Sequence, residues 1–340
     1  AYPVPAIPVP AGGWASRYTG PLERSDSMLS LQALMDGIID YAGLFPPARL
    51  EMQPTMRNYR TYRDGDHHWM LGRLVVPVAR FEEFESHAGS LLPESRDPVS
   101  DDCWVISALT APVGDEGFRR DLEAIESFNE RHLERGSRAV AVDTIEVRAD
   151  DAAEIDHALD VIPEFIFPYF ELDHRSDVRG PIAAIAGMDA GAKIRSGGIT
   201  PDLHPTPAEF ARFITACGDA EIPFKATAGL HHPLRHHAEA VGCDQYGFLN
   251  VFVAACLAWW ESDLEPDFIQ RVLEARTLEP FTFEPDRLGF EGHLLTCEHV
   301  EQARERFCHA YGSCSFLEPL EDLVELGLLS ASPTTPREVS

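Results

Sequence analysis

Residues 190–198 read Ala-Gly-Ala-Lys-Ile-Arg-Ser-Gly-Gly, a short apolar run that carries a lysine and passes into a glycine-rich turn. Residues 222–229 follow the same pattern as Ile-Pro-Phe-Lys-Ala-Thr-Ala-Gly. Both runs are continuous rather than alternating in polarity, which is typical of parallel strands covered on both faces. The two segments therefore predict neighbouring strands that each end in a lysine.

Similar apolar runs alternate with helical patterns along most of the chain. The predicted strands lie at residues 38–42, 73–79, 103–109, 139–147, 164–170, 190–194 and 222–225, and residues 281–283 supply an eighth. Eight strand–helix units in roughly 250–300 residues predict an α/β fold, a (β/α)8 barrel of the TIM type. The alternative is a doubly wound open sheet, which is disfavoured because no GxGxxG turn follows the first strand.

The sequence predicts three segments. Residues 1–28 have prolines at 3, 5, 8 and 10 and predict an extended arm without a basic or apolar leader pattern. Residues 29–330 form the single predicted barrel domain, which ends in a short helix. Residues 331–340 are rich in Ser, Thr and Pro, so a disordered tail is expected.

Composition restricts the partners of the chain. The formal net charge is −28, which disfavours nucleic acids and anionic membranes as partners, because both require a basic surface. No run of eighteen apolar residues predicts a membrane span. Seven cysteines without a CxxC pair, with Cys103, Cys217 and Cys256 in apolar stretches, predict buried thiols and a cytoplasmic protein. Assembly into a homo-oligomer is compatible with these features.

Lysine usage is the strongest chemical signal. The chain has 26 arginines but only two lysines, Lys193 and Lys225, and both end predicted strands. Arginine stays protonated, whereas a buried lysine can become a free amine that acts as a base or a nucleophile. We therefore expect a catalytic role for at least one of the two lysines.

Active sites of (β/α)8 barrels lie at the carboxyl ends of the strands. Ionisable and polar side chains gather at those positions of the predicted strands. They are Asp40, Tyr41, Arg80, Ser107, Glu146, Glu171, Lys193, Arg195, Lys225, His231 and His232. We assign proton transfer to Glu171 or Glu146, with assistance from His231. Arg195 and the backbone of Gly197 and Gly198 are assigned to an anionic group of the substrate. Asp40, Tyr41, Arg80 and Asn250 complete the predicted substrate-binding set.

The segment 229–237 contains four histidines. His231 and His232, completed by Glu146 or Glu171, are candidate ligands of Zn²⁺ or another divalent metal ion. Farther along, residues 312–316 read Gly-Ser-Cys-Ser-Phe without the His or Asp spacing of a catalytic triad. They predict a tight turn that packs the C-terminal segment under the barrel.

Residues 190–230 resemble the class I aldolases of the deoxyribose-phosphate aldolase type. In those enzymes two successive strands carry lysines in a setting similar to Lys193-Ile-Arg-Ser-Gly-Gly and Lys225-Ala-Thr-Ala-Gly. The resemblance implies that Lys193 forms a Schiff base and that Lys225 lowers its pKa. It covers about an eighth of the chain, and the histidine pair after Lys225 departs from the pattern.

The leading hypothesis is a barrel enzyme of the lyase or aldolase type that acts on a small anionic carbonyl metabolite and requires no cofactor. The second is a metal-dependent lyase, isomerase or hydrolase built on the histidines. The third is a barrel without catalysis that binds a ligand or serves as an assembly subunit, because the fold alone does not specify a function.

Overall fold

The computed structural model describes residues 28–89, 91–93, 103–134, 140–265 and 267–331. Eight parallel strands close into a barrel, which confirms the predicted fold class. The barrel strands are β1 (Ile39–Tyr41), β2 (Leu71–Pro77), β3 (Trp104–Leu109), β4 (Val140–Arg148), β5 (Phe167–Leu172), β6 (Gly191–Arg195), β7 (Phe224–Thr227) and β13 (Cys308–Ser313). Strands β1 to β7 follow chain order around the barrel, and β13 lies between β7 and β1.

The prediction that residues 281–283 form the eighth barrel strand is wrong. They belong to β10 (Phe281–Glu284), which pairs antiparallel with β11 (Arg287–Phe290), and β11 pairs with β12 (His293–Thr296). Only two residues join β10 to β11, and such a short connection permits antiparallel pairing but not a parallel crossover. The true closing strand, β13, contains a histidine and a serine and lacks an aliphatic run, which hid it from a search for apolar segments.

Helices surround the barrel. They are α1 (Leu29–Met35), α2 (Met52–Arg63), α3 (Phe81–Ala88), α4 (Gly117–Glu134), α5 (Ala152–Leu159), α6 (Arg179–Ile185), α7 (Pro207–Asp219), α8 (Phe248–Trp260), α9 (Phe268–Glu274), α10 (Cys297–Arg306) and α11 (Leu317–Glu325). Local sequence fixes some of their starts. Thr206 and Glu209 form a reciprocal capping box at the start of α7, and Asp151 caps α5 through the N–H of Glu154.

The connection from β7 to β13 is much longer than the others. It contains the hairpin of β8 (His236–Ala238) and β9 (Cys243–Gln245), then α8, α9, the three-stranded sheet and α10. Helix α8 is apolar on nearly all sides because it is buried behind the barrel wall, where Phe252 packs against Phe224 of β7 and Tyr311 of β13.

Side chains alternate between the barrel interior and the helix layer, as strand geometry requires. On β4 the pairing with β3 shifts at Asp143, because Val142 pairs with Ile106 whereas Thr144 pairs with Ser107. Such a bulge re-aims the residues that follow it. The face of β4 that turns into the barrel therefore carries Thr144 and Glu146, while Ile145 packs in the outer core.

Within the described residues, no helix is long and apolar enough to cross a membrane. The predicted arm at residues 1–28 lies outside the described residues except for Met28, and so does the predicted tail except for residue 331. Cys103, Cys217 and Cys256 are buried thiols, as predicted.

Candidate active site

The two lysines lie side by side in the barrel wall. Lys193 of β6 is the direct register partner of Lys225 of β7, so their side chains leave neighbouring strands at the same level. Lys193 is 3% exposed and Lys225 is 0% exposed. The rare amines therefore meet inside one enclosed region rather than at separate places on the surface.

Three carboxylates hold these two amines. Lys193 Nζ lies 2.9 Å from Glu146 Oε2 and 2.7 Å from Glu171 Oε2. Lys225 Nζ lies 2.5 Å from Asp40 Oδ2 and 2.5 Å from Glu146 Oε1. We call Asp40, Glu146, Glu171, Lys193 and Lys225 the lysine cluster. Its residues come from β1, β4, β5, β6 and β7, all from the set predicted at strand ends.

Glu146 is the centre of the lysine cluster because each of its oxygens binds a different lysine. The Ser107 hydroxyl also donates to Glu146 Oε1 at 2.9 Å, and Lys225 Nζ lies 3.5 Å from Ser107 Oγ. The backbone N–H of Arg73 donates to the other oxygen of Asp40 at 2.6 Å. The buried carboxylates are thus bound on both oxygens, as polar groups in a protein interior require.

The carboxylates determine the charge state of the lysine cluster. Burial lowers the pKa of Lys193, but Glu146 and Glu171 outweigh burial and raise that pKa above its usual value. Lys193 in turn is the main cause of the lowered pKa of Glu171. Burial raises the pKa of Glu146, yet the two lysines hold it well below its usual value. The pKa of Lys193 is therefore raised rather than lowered as expected, and Glu146 lies between the two amines.

The lysine cluster approaches solvent through Glu171 and Arg195. The Glu171 side chain is 24% exposed, the Arg195 side chain is 44% exposed, and Arg195 Nε lies 3.8 Å from Glu171 Oε1. Lys193, Glu171 and Arg195 thus form a chain of charges from the buried amine to the opening. Arg195 was predicted to bind an anion, and its exposed guanidinium leaves donors available for one.

The glycine-rich turn after β6 packs closely against the end of β7. A Cβ atom on Gly197 would lie 3.0 Å from the Cα of Gly229 and 3.0 Å from His204 Nε2. The Ser196 hydroxyl donates to the carbonyls of Thr227 and Ala228. A Cβ atom on Gly198 would collide with the side chain of Leu203. Glycine is needed at these positions for close packing of two loops, which also sets the backbone beside Arg195.

Several polar residues of the barrel strands were missed by sequence reasoning. Arg73 makes a two-pronged salt bridge to Asp143, at 2.7 and 2.8 Å, and the Tyr169 hydroxyl lies 2.6 Å from Nδ1 of His309. Lys225 Nζ lies 6.0 Å from the centre of the Tyr169 ring. A signal existed, because Arg73 and Asp143 are charged residues of the predicted strands 73–79 and 139–147, but neither stands at the carboxyl end of its strand.

Three predicted substrate-binding residues make their contacts outside the lysine cluster. Tyr41 points away from the barrel interior because Asp40 points into it, and its ring meets Tyr62 of α2 edge-on at 5.2 Å. Arg80 is held by Glu83 within its own helical turn. Asn250 is fully buried and joins α8 to α9, because its amide donates to the carbonyls of Val272 and Ala275. The predictions for Tyr41 and Asn250 are therefore corrected to structural roles, whereas Arg80, which follows the carboxyl end of β2, stays a prediction.

The two histidines after β7 bind the last helix. His231 Nδ1 lies 3.2 Å from Glu318 Oε2, and His232 Nδ1 lies 2.6 Å from Asp322 Oδ2. We call His231, His232, Glu318 and Asp322 the histidine cluster. The predicted partners Glu146 and Glu171 bind lysines instead. In the described part of the chain no three His, Cys, Asp or Glu residues are arranged to hold a metal ion.

The segment 312–316 does not form a turn under the barrel. Gly312 and Ser313 belong to β13, and Cys314 follows at the carboxyl end of that strand, at the same mouth as the lysines. Cys314 Sγ lies 4.0 Å from His231 Nδ1. Sequence spacing could not reveal this pair, since the two residues come from strands separated by the long connection.

No protein-family model and no curated protein matches the chain. A closed (β/α)8 barrel is compatible with an enzyme, but the fold alone does not specify the chemistry, which depends on the side chains of the site.

Proposed function

We propose that the protein is an aldolase or lyase that acts on a small anionic carbonyl compound through the amine of Lys193. The observation that carries the proposal is the sharing of Glu146 by two buried lysines, with Glu171 between Lys193 and the opening. Burying two ammonium groups and three carboxylates is costly for stability, and an apolar core of equal volume would serve a purely structural barrel as well or better. Such an arrangement is typical of a catalytic site.

The environment favours Lys193 over Lys225 as the nucleophile. Lys225 has no solvent exposure and is enclosed by Asp40 and Glu146. Lys193 contacts Glu171, which is the most exposed member of the lysine cluster. A substrate that enters past Arg195 therefore reaches Lys193 first. Lys225 stays bound to Asp40 and Glu146, helps to hold the pKa of Glu146 below its usual value, and offers N–H donors to oxygen atoms of the reacting compound.

Lys193 begins the reaction as an ammonium group, so it must lose a proton before it can attack. Glu171 is positioned to accept that proton at 2.7 Å. An anionic group of the substrate that binds Arg195 competes with Glu171 for this cation. When Arg195 binds the substrate instead of Glu171, the pKa of Glu171 rises and Glu171 becomes a stronger base. Substrate binding is thereby coupled to the formation of a free amine.

The neutral amine then adds to the carbonyl carbon, and the carbonyl oxygen takes up protons and leaves as water. In the cleavage direction the protonated imine accepts the electron pair of the bond between its α- and β-carbons, the β-hydroxyl loses its proton, and an enamine and a second carbonyl compound result. In the synthetic direction the enamine carbon donates that pair to a carbonyl carbon, whose oxygen takes up a proton. Glu171 and Glu146 are the groups available to move protons at that carbon. Water restores the lysine and releases the product.

Borohydride trapping tests the proposal directly. The chain is incubated with separate short aldehydes, 2-keto acids and phosphorylated aldehydes, reduced with sodium borohydride, and digested for mass spectrometry. We expect a reduced adduct on the peptide that contains Lys193. The assignment is simple because Lys193, Lys225 and the N-terminal amine are the only primary amines of the chain.

Two variants control the trapping experiment. Lys193→Arg keeps the charge next to Glu171 but cannot form an imine, so its adduct should disappear while the fold persists. Arg195→Met should reduce trapping by anionic carbonyl compounds more than by neutral ones. Adducts confined to the N-terminal amine for every probe would refute the imine chemistry.

A further inference from the structure

A thiol, an imidazole and a carboxylate meet at the mouth of the barrel. β7 and β13 are neighbours in register, with Thr227 opposite Gly312. Cys314 follows the end of β13, and His231 lies in the loop after β7. His231 Nδ1 contacts both Cys314 Sγ at 4.0 Å and Glu318 Oε2 at 3.2 Å. None of these contacts is used by the chemistry proposed for Lys193.

We propose that Cys314, paired with His231 and Glu318, is a nucleophilic cysteine that is covalently modified by soft carbon electrophiles of the α,β-unsaturated carbonyl class. The thiolate sulfur forms a bond to the β-carbon, and the carbon–carbon double bond gives its electron pair to the carbonyl group as an enolate. The His231 imidazolium supplies the proton that the α-carbon then takes up. No oxidant, reductant or further reactant is needed.

The surroundings of His231 favour its charged form, which is the form that stabilises a thiolate. Burial lowers the pKa of His231, but contacts with Cys314 and Glu318 outweigh burial and raise that pKa to about 9. Burial is the main cause of the lowered pKa of His236; His232 and His231 lower it further, whereas Asp322 acts in the opposite sense. His231 and His232 each contact a carboxylate of α11, Glu318 and Asp322 respectively.

The other cysteines supply internal controls. Cys103 has the same exposure as Cys314, 7%, but its thiol donates to the carbonyl of Trp104 rather than contacting an imidazole there. Cys243 and Cys297 are more exposed, and burial together with nearby acids raises their pKa values. Exposure alone therefore predicts that Cys243 and Cys297 react first, whereas the proposal predicts that Cys314 does.

The experiment is limited alkylation of the full chain with N-ethylmaleimide at pH 7, followed by peptide mass spectrometry of each cysteine. A thiol with an ordinary pKa is only a few per cent thiolate at this pH, and nucleophilicity falls as the pKa falls, so an advantage of about tenfold is expected for Cys314 over Cys103, Cys243 and Cys297. His231→Gln should remove this advantage. His237→Gln, a change at an exposed histidine of the β8–β9 hairpin, should leave it unchanged.

The pH dependence of the unmodified chain gives a second measurement that needs no variant. Alkylation of Cys243 should fall about tenfold for each pH unit below 8, as expected for a thiol that must first ionise. Alkylation of Cys314 should change much less between pH 8 and pH 6. A reaction order that follows exposure, or a Cys314 rate that falls in parallel with that of Cys243, would overturn the proposal.

Discussion

The lysine cluster and the histidine cluster both pair cations with carboxylates at the same end of the barrel, but they differ in depth. The lysines are 3% and 0% exposed, whereas the side chains of His231 and His232 are 14% and 43% exposed and Glu318 is 52% exposed. Water is excluded from the first cluster and reaches the second. Ion pairs of similar length should therefore differ in strength and in response to pH.

The chemistry of the cations widens this difference. A raised pKa keeps Lys193 charged throughout the neutral range, and the lowered pKa values of Glu146 and Glu171 keep them ionised. The imidazole of His231 titrates near pH 9. The charge of Lys193 in the interior therefore persists as the pH rises through 9, whereas the charge of His231 at the mouth is lost over that range.

The largest effect is expected from Lys225→Met. This change leaves Asp40 and Glu146 buried without one of their cations, and removal of one partner of a buried pair costs about 3–5 kcal/mol. The measurement is urea-induced unfolding at pH 7. Arg179→Met is the control, because its pair with Asp177 is exposed on both sides and its loss should not change the free energy of unfolding measurably. Equal stability of the two variants would contradict the inference that the buried ion pairs contribute more to stability than the exposed ones.

The second test separates catalysis from stability within the lysine cluster. Glu171→Gln removes the proton acceptor of Lys193 but keeps a polar side chain at the partly exposed edge. We expect imine formation at pH 7 to slow by about 10²–10⁴-fold, the usual contribution of a general base. Stability should fall less than in Lys225→Met. An unchanged trapping rate would exclude Glu171 as the acceptor and transfer that role to Glu146.

The third test uses pH. The pKa of His231 is raised from an ordinary value of 6.5 to about 9 by its contacts in the folded chain. A raised pKa contributes stability that is complete below about pH 6.5 and is lost as the pH rises through 9. The difference in unfolding free energy between the parent chain and His231→Gln should therefore shrink between pH 6 and pH 9.5. The corresponding difference for Lys193→Met should stay constant over that range.

The smallest effect is expected from Tyr41→Phe. The Tyr41 hydroxyl accepts from the Asn58 amide at 3.4 Å in the helix layer, outside the barrel interior. Loss of such a contact costs about 0.5–1.5 kcal/mol. Borohydride trapping at Lys193 should be unchanged in this variant. A strong loss of trapping would return Tyr41 to the substrate-binding set.

The barrel and most of its strands were predictable because buried parallel strands leave apolar runs in the sequence. The closing strand was not, since Cys308 to Ser313 depend on partners in β7 and β1 rather than on their own hydrophobicity. Residues 281–283 have a sequence typical of a strand, but they pair with β11, which is separated from β10 by only two residues. The local sequence determines whether a segment forms a strand, whereas distant partners determine whether that strand joins the barrel.

The candidate site divides in the same way. The strand-end rule found Asp40, Glu146, Glu171 and both lysines, because their position depends only on strand register. It also selected Tyr41, since a strand-end position alone does not say which way a side chain points. The pairing of His231 with Cys314 required the long connection between β7 and β13 to fold.

Closure of the barrel by its first and last strands has a consequence for synthesis. Until translation has passed Ser313, the nascent chain exposes the open edges of β1 and β7, and the gap between them is filled only when β13 arrives. Unpaired edges can recruit strands from other chains. Chains halted anywhere in the connection before β13 should therefore aggregate, and chaperones that shield such edges are expected to be needed until β13 has been made.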